Sequence, residues 1–224
     1  MGYTKTEIIK ELNSLKKLED LYIAKMINYK GKTKDTKEKY TEVIANYLLE
    51  NSSKYNFNNI EMIKRSKCYK QAHDGKYSKN SNRREEVIAM KLYNTSYPGL
   101  GEILDYQIPL KDKKSTKAGK VDLISHNKKD NILYLIELKN DVSEETLLRC
   151  VLEIMTYINQ IDKEKLLQDY NMDSNVEIKP AILIFEDTRP HKDICDEYVT
   201  ELLKKFDISL FVANIEEKFT IRSN

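Results

Sequence analysis

The stretch Ile132-Leu133-Tyr134-Leu135-Ile136-Glu137-Leu138-Lys139 decides how this chain reads. It is apolar up to residue 136, as expected for a central strand covered on both faces. Its end breaks that pattern. Glu137 and Lys139 lie two apart, so in a strand both side chains point to one face, with Cα atoms about 6.6 Å apart. The segment before it repeats the anomaly: Val121 to Ser125 reads as a strand, with Asp122 framed by Val121 and Leu123. Charge in an apolar strand is costly unless it is paired or coordinates a metal. The intervening His126-Asn127-Lys128-Lys129-Asp130-Asn131 is turn-like. A hairpin symmetric about Lys129 and Asp130 sets Asp122 opposite Glu137, with Cβ atoms about 5 Å apart. Two adjacent carboxylates repel unless positive charge lies between them. A divalent cation with oxygen ligands meets that need, and Lys139 adds a further charge. An Asp–Lys–Glu ion-pair cluster at a sheet end is the other reading of the same residues. A one-residue slip of register would remove both.

Working outward, Arg83 to Tyr93 reads as a helix and Ile103 to Leu110 as a strand before the two already described. Ser143 to Ile161 follows as a long helix, with Ser143 as N-cap and Glu144 and Glu145 in its first turn. Ile182 to Phe185 is a further strand, Asp193 to Phe206 a helix, and Ile208 to Asn214 a last strand. The order αβββαβαβ predicts an α/β fold, a central mixed β-sheet flanked by helices. Upstream, Thr4 and Glu7 form a capping box ahead of Ile8, Ile9, Leu12, Leu15 and Leu18. Asp35 and Glu38 suggest a second, ahead of Tyr40, Val43, Ile44, Tyr47 and Leu48. Residues 1–82 are therefore expected to be a helical, basic N-terminal region packed on or beside a main domain spanning 83–224. Its polar part, 51–82, carries Lys64-Arg65-Ser66-Lys67 and Lys76-Tyr77-Ser78-Lys79. It reads as a solvated connector, or as basic and aromatic residues that track a phosphate backbone.

Composition narrows the class. With 40% hydrophobic and 33% charged residues, the chain can bury a core and is not a disordered polymer. No run approaches the length of a membrane span, and Met1 to Lys17 lacks a signal-peptide core, so a cytoplasmic protein without membrane contact is expected. Three scattered cysteines and three scattered histidines give no disulfide framework or zinc spacing. The net charge of +2 conceals an asymmetry. Residues 1–82 hold 17 Lys/Arg against 10 Asp/Glu, and the remainder 21 against 26. A basic region beside an acidic half is compatible with a nucleic-acid partner.

The run Gly119-Lys120-Val121-Asp122-Leu123, followed by Ile136-Glu137-Leu138-Lys139 on the next strand, resembles the D-x(n)-E-x-K signature of the PD-(D/E)XK nuclease superfamily. The αβββαβ order resembles that superfamily's restriction-endonuclease-like core, over roughly residues 83–214. The usual Pro before the Asp is replaced by Val121. The resemblance implies a Mg²⁺-dependent nuclease, with Mn²⁺ as a substitute, that hydrolyses phosphodiester bonds, DNA for preference. Asp122 and Glu137 would be metal ligands, joined by the backbone carbonyl of Leu138. Lys139 would orient or deprotonate the attacking water. Glu86, or its neighbour Glu85, would complete the site from the preceding helix. Arg149, Glu153 and Tyr157 share one helix face and resemble the Q-x-x-x-Y element of some branches, with Glu in place of Gln. A homodimer acting on two strands is a further implication. A nucleic-acid-binding or assembly protein that keeps the fold without cleaving is the competing one.

Overall fold

The computed structural model describes residues 2–15, 17–55, 60–73, 83–112, 119–215 and 219–224. Its helices are α1 (Lys5–Ser14), α2 (Leu18–Leu21), α3 (Tyr40–Glu50), α4 (Ser52–Tyr55), α5 (Arg84–Leu92), α6 (Leu147–Gln160), α7 (Lys163–Asp169), α8 (Arg189–Lys192) and α9 (Glu197–Lys205). Its strands are β1 (Ser96–Tyr97), β2 (Gly101–Pro109), β3 (Lys120–Asn127), β4 (Ile132–Leu138), β5 (Glu177–Phe185), β6 (Ser209–Ile215) and β7 (Phe219–Ser223). The segment Lys76-Tyr77-Ser78-Lys79 lies outside the described residues.

Helix starts follow local chemistry, in two places differently from expectation. The Thr4–Glu7 box closes α1 as read from the sequence. The second box does not form. Asp35 instead accepts a hydrogen bond from the Lys5 N–H at 3.0 Å, and Glu38 pairs with Lys5 Nζ at 2.9 Å. Both acids thus hold the N-terminus of α1, where the backbone donors are free, and α3 begins without a side-chain cap. Helix α6 begins one turn later than expected. Thr146 caps it, accepting from the Arg149 N–H at 3.2 Å, while its hydroxyl donates to the Ile27 carbonyl at 2.7 Å. The Thr146 hydroxyl therefore serves the cap and ties residues 27–28 to α6 together, which the Ser143 hydroxyl, accepting only from the Glu145 N–H, does not.

The seven described strands neighbour one another in chain order. Strands β1 to β4 are antiparallel, β4, β5 and β6 are parallel, and β7 returns antiparallel to β6. They sweep 289° about an axis, so the sheet is a nearly closed barrel. This corrects the expected fold. An open αβββαβ sheet sandwiched by helices is not what the chain forms, and the assignment to the PD-(D/E)XK superfamily falls with it. The physical reason lies in the edges and in β2. Strands β1 and β7, absent from the sequence reading, carry the natural right-handed twist further round. Strand β2 also contains a bulge between Ile103 and Asp105, a feature that bends and coils a strand.

The curl is strongest near Gln107. Tyr106 and its partner Leu123 belong to one apolar cluster, whereas Ile108 and its partner Val121, two residues on, belong to the other. Residues two apart on a regular strand share a face, so the hairpin rolls over between these pairs. Gln107 stands at the roll-over with φ of 53°, a left-handed conformation that costs a non-glycine residue about 1–2 kcal/mol.

The two clusters lie on opposite sides of the sheet. One joins Ile124, Leu133, Leu135, Ile182 and Ile184 to α1, α3, α6, α7 and α9, so the N-terminal helices share a core with the strands. The other consists mostly of strand side chains, with α5 as its helix. Tyr134 on β4 meets Phe211 on β6 edge to face, and an added methyl at Gly99, between β1 and β2, would lie 3.8 Å from the Phe211 ring. Contacts reaching across the sheet in this way place the second cluster on its concave side. Among the described residues, no helix is long and apolar enough to cross a membrane.

Candidate functional site

A polar cleft of about 660 Å³ opens at the end of β4. It is walled by the start of α5, the end of β2, the start of β3, and one face of α6 from Arg149 to Tyr157. The side chains of Asp122, Glu137, Lys139, Glu85, Glu86, Arg149, Glu153 and Tyr157, each singled out from the sequence, all line it.

The β3–β4 register follows the symmetric turn, with Leu123 opposite Ile136 and Asn127 opposite Ile132. The regular ladder stops there, one pair short of Asp122 and Glu137. Beyond it, the Asp122 carboxylate takes over the work of the backbone. Its Oδ2 accepts from the Leu138 N–H at 3.0 Å and its Oδ1 from Gln107 Nε2 at 2.9 Å. Leu138 thus meets Asp122 through its N–H. The Gln107 roll-over described above is what turns its amide onto Asp122.

Lys139 is the hub of the floor. Its buried ammonium lies 2.6 Å from Glu137, 2.8 Å from Glu145 and 3.5 Å from Glu153. Arg149 bridges Glu145 and Glu153 at 3.2 and 3.7 Å, and the Tyr157 hydroxyl donates to Glu153 at 2.8 Å. On α5, Glu85 accepts from the side-chain amide of Asn140 at 3.1 Å, while Glu86 pairs with Arg83 at 3.2 Å and Arg84 pairs with Asp141. Two cations, Lys139 and Arg149, therefore face four carboxylates: Asp122, Glu137, Glu145 and Glu153.

Burial is the largest influence on the titration of each of these groups, and the charges around them modify or outweigh it. Burial pushes the Asp122 carboxyl up to about 7, against the pull of Lys139 and the Leu138 N–H and with the help of Glu85 and Glu153. Burial also raises Glu137 well above the carboxylate range, opposed by Lys139 and reinforced by Asp122 and Glu153. For Lys139, burial alone would lower the pKa. Glu137, Glu153 and Glu145 outweigh it and hold the ammonium charged. Burial and the Glu153 charge raise the Tyr157 hydroxyl, which stays neutral.

A consequence for stability follows. Asp122 binds its proton more tightly folded than unfolded, so stability is lost as pH rises from the ordinary carboxylate range through about 7. Asp122→Asn keeps an acceptor for the Leu138 N–H and removes this titration. The drop in thermal midpoint between pH 5 and pH 8 is expected to be smaller in Asp122→Asn than in wild type. Parallel pH profiles for the two proteins would count against a raised Asp122 pKa.

The geometry corrects the functional expectation as well. The Asp122 oxygens are both engaged by protein donors, and Glu137 is held by Lys139. Among the described residues, no group of three or more His, Cys, Asp or Glu side chains is placed to hold a metal ion. Together with the curled sheet, this removes the basis for a metal-dependent nuclease and for hydrolysis of phosphodiester bonds. The reading of a non-cleaving protein that keeps the nuclease fold loses its basis for the same reason. Of the paired carboxylates, Glu137 is ion-paired with Lys139, while Asp122 accepts from the Gln107 amide and the Leu138 N–H instead.

Several participants escaped the sequence reading. Gln107 carried one signal, an amide between Tyr106 and Ile108 near the end of the strand. Glu145 read as ordinary first-turn helix charge. Because α6 starts at Leu147, it instead lies in the loop before the helix and reaches Lys139. Asn140 and Lys120 carried no signal beyond their neighbours. No family model, curated protein or solved structure matches this chain.

Proposed function

We propose that the cleft binds nucleic acid, engaging backbone phosphates at its mouth. The observation that carries this reading is the segregation of charge by depth. The side chains of Arg83 and Arg84 are 75% and 54% exposed, and Lys120 is also exposed, whereas those of Glu137 and Glu153 are 3% and 12% exposed. The most exposed charges at the rim are therefore cationic, Arg83 and Arg84 being paired with the less exposed Glu86 and Asp141. The carboxylates below are paired with Lys139 and Arg149 or have their pKa raised, so they oppose it less than their number suggests. The amphoteric interior also suits a nucleotide, whose base offers amino donors to carboxylates while its phosphate attracts guanidinium groups. The surplus of Lys and Arg in residues 1–82 adds long-range attraction. A cytoplasmic setting belongs to the same reading. Cys68 and Cys195 are free and exposed, as thiols remain in a reducing compartment.

The test is fluorescence anisotropy with labelled single-stranded DNA, duplex DNA and RNA across a salt series. Binding should weaken as salt rises, and the slope of log affinity against log salt should shrink by about 0.7–0.9 for each phosphate contact removed. Arg84→Gln with Lys120→Gln should flatten the slope without lowering the thermal midpoint appreciably. Absence of binding to all three at low salt, or an unchanged slope in the double variant, would overturn the assignment.

A further inference from the structure

Two cations beside the cleft are held by acids of a single loop. Residues 139–146 join β4 to α6. From this loop Asp141 accepts from Arg84 on α5 through both carboxylate oxygens, Oδ1 from Nε and Oδ2 from Nη2. A guanidinium binds phosphate with the same two-pronged geometry. Three residues on, Glu144 accepts from Nζ of Lys30, which lies between α2 and α3. Neither Lys30 nor Glu144 lines the cleft. The bonds from Arg84 hold the Asp141 carboxyl below its ordinary range, and Lys91 adds to the pull. The bond from Lys30 does the same for Glu144, helped by Lys192 and Arg189. Both acids therefore stay ionised at neutral pH, each in a cationic setting. The other acids nearby are engaged elsewhere: Glu85 with Asn140, Glu86 with Arg83, and Asp193 with Arg189 at 2.8 Å. The side chains of Lys30 and Glu144 are 55% and 74% exposed, so their pair is readily broken by a competitor.

We infer that Asp141 and Glu144 hold the places of two phosphates, and that a polyanion entering the cleft displaces them from Arg84 and Lys30 and continues across the loop onto Lys30 and Lys192. This rests on the nucleic-acid reading of the cleft and extends its surface past the α5 rim. The two acids are separated by at most about 11 Å of chain, a span that one short oligonucleotide covers. Only side chains need to turn. The loop backbone is held separately: the Ser143 N–H donates to the Asn140 carbonyl at 3.1 Å, the Arg189 N–H to the Ser143 carbonyl at 3.2 Å, and the Thr146 N–H to Asn28 at 3.1 Å. While the acids stay in place they oppose any incoming anion. A chain of phosphates meets both positions at once and a single phosphate only one, so the loop selects polymers over monomers.

Calorimetric titration of the full chain with a single-stranded DNA oligonucleotide, and separately with inorganic polyphosphate, tests it. Asp141→Asn with Glu144→Gln should bind either polymer about two- to thirtyfold tighter than wild type, the gain from not having to break two surface ion pairs. Glu177→Gln with Asp207→Asn removes the same charge around Lys179, at the far end of β5 from the cleft, and should gain about twofold at most. Lys30→Gln with Lys192→Gln, outside the cleft, should weaken binding and reduce the salt slope by about 0.7–0.9 per contact. If wild type binds the oligonucleotide but the loop variant gains no more than the control, or the Lys30 and Lys192 variant loses nothing, the inference is overturned and the cleft's reading stands. If neither wild type nor the loop variant binds the oligonucleotide, yet polyphosphate binds and does so more tightly to the loop variant, the competitor stands and the nucleic-acid reading falls. Absence of binding to both polymers by every variant would overturn both.

Discussion

Lys139→Met is expected to cost about 3–5 kcal/mol of stability, the usual consequence of leaving buried charges without their partner. The Lys139 side chain is 7% exposed and touches Glu137, Glu145 and Glu153, so no solvent replaces it. Methionine fills the volume of the stem, which isolates the electrostatic loss from a packing loss. The carboxylates would then take up protons, so the cost should be greater at pH 8 than at pH 6. Adding Glu137→Gln removes one of the unpaired charges and should recover on the order of 1 kcal/mol or more, a coupling that a double-mutant cycle reads directly. Urea denaturation of the four proteins at both pH values measures all of this. A cost below about 1 kcal/mol, the range of exposed ion pairs, would mean that the cluster is solvated and does not hold the cleft together.

Gly101→Ala is the second large effect, on the curl of the sheet. Gly101 has φ of 84°, and a Cβ there would lie 2.2 Å from the carbonyl oxygen of His126. That oxygen is backbone, on the His126–Asn127 peptide next to the Glu102–His126 pair of the β2–β3 ladder, so it cannot turn aside as a side chain would. Overpacking costs about 1–3 kcal/mol and left-handed alanine about 1–2 kcal/mol, giving about 2–5 kcal/mol together. Gly99→Ala is the internal control. It also has positive φ, 75°, but its nearest neighbour, the Phe211 ring at 3.8 Å, is at ordinary contact distance. It should lose only the conformational part. Equal losses at the two positions would contradict the close approach of β2 to β3.

These two residues also mark what sequence reading reaches. The β3–β4 register was legible because a strand's period of two and a turn symmetric about Lys129 and Asp130 leave one solution that buries the apolar face. From that followed the gathering of Asp122, Glu137 and Lys139, and helical spacing added Arg149, Glu153 and Tyr157 to the same cleft. The barrel-like closure was not legible. Strand β1 is two residues long, and β7, Phe-Thr-Ile-Arg-Ser, is mostly exposed, so neither carries the apolar run that announces a strand. The left-handed Gln107 has no signature in residue type, since the amino acids that usually adopt this conformation are Gly, Asn and Asp. Sequence alone could not decide between a cation and a lysine as the answer to paired carboxylates. The choice depends on where Glu145 and Glu153 fall, and Glu145 moved from helix to loop when Thr146, bonded to Ile27, set the helix start. A motif of a few residues thus led to a compact charged site while pointing to a fold that the chain does not adopt.

The central claim is that nucleic acid occupies the cleft at the end of β4. Hydrogen-exchange mass spectrometry, with and without a saturating oligonucleotide, tests it most directly. Protection is expected in peptides covering α5 and residues 119–122 and 139–149, with little change in the solvent-facing backbone of α9. Protection confined to other surfaces, with these peptides unchanged while the oligonucleotide is bound, would contradict the account.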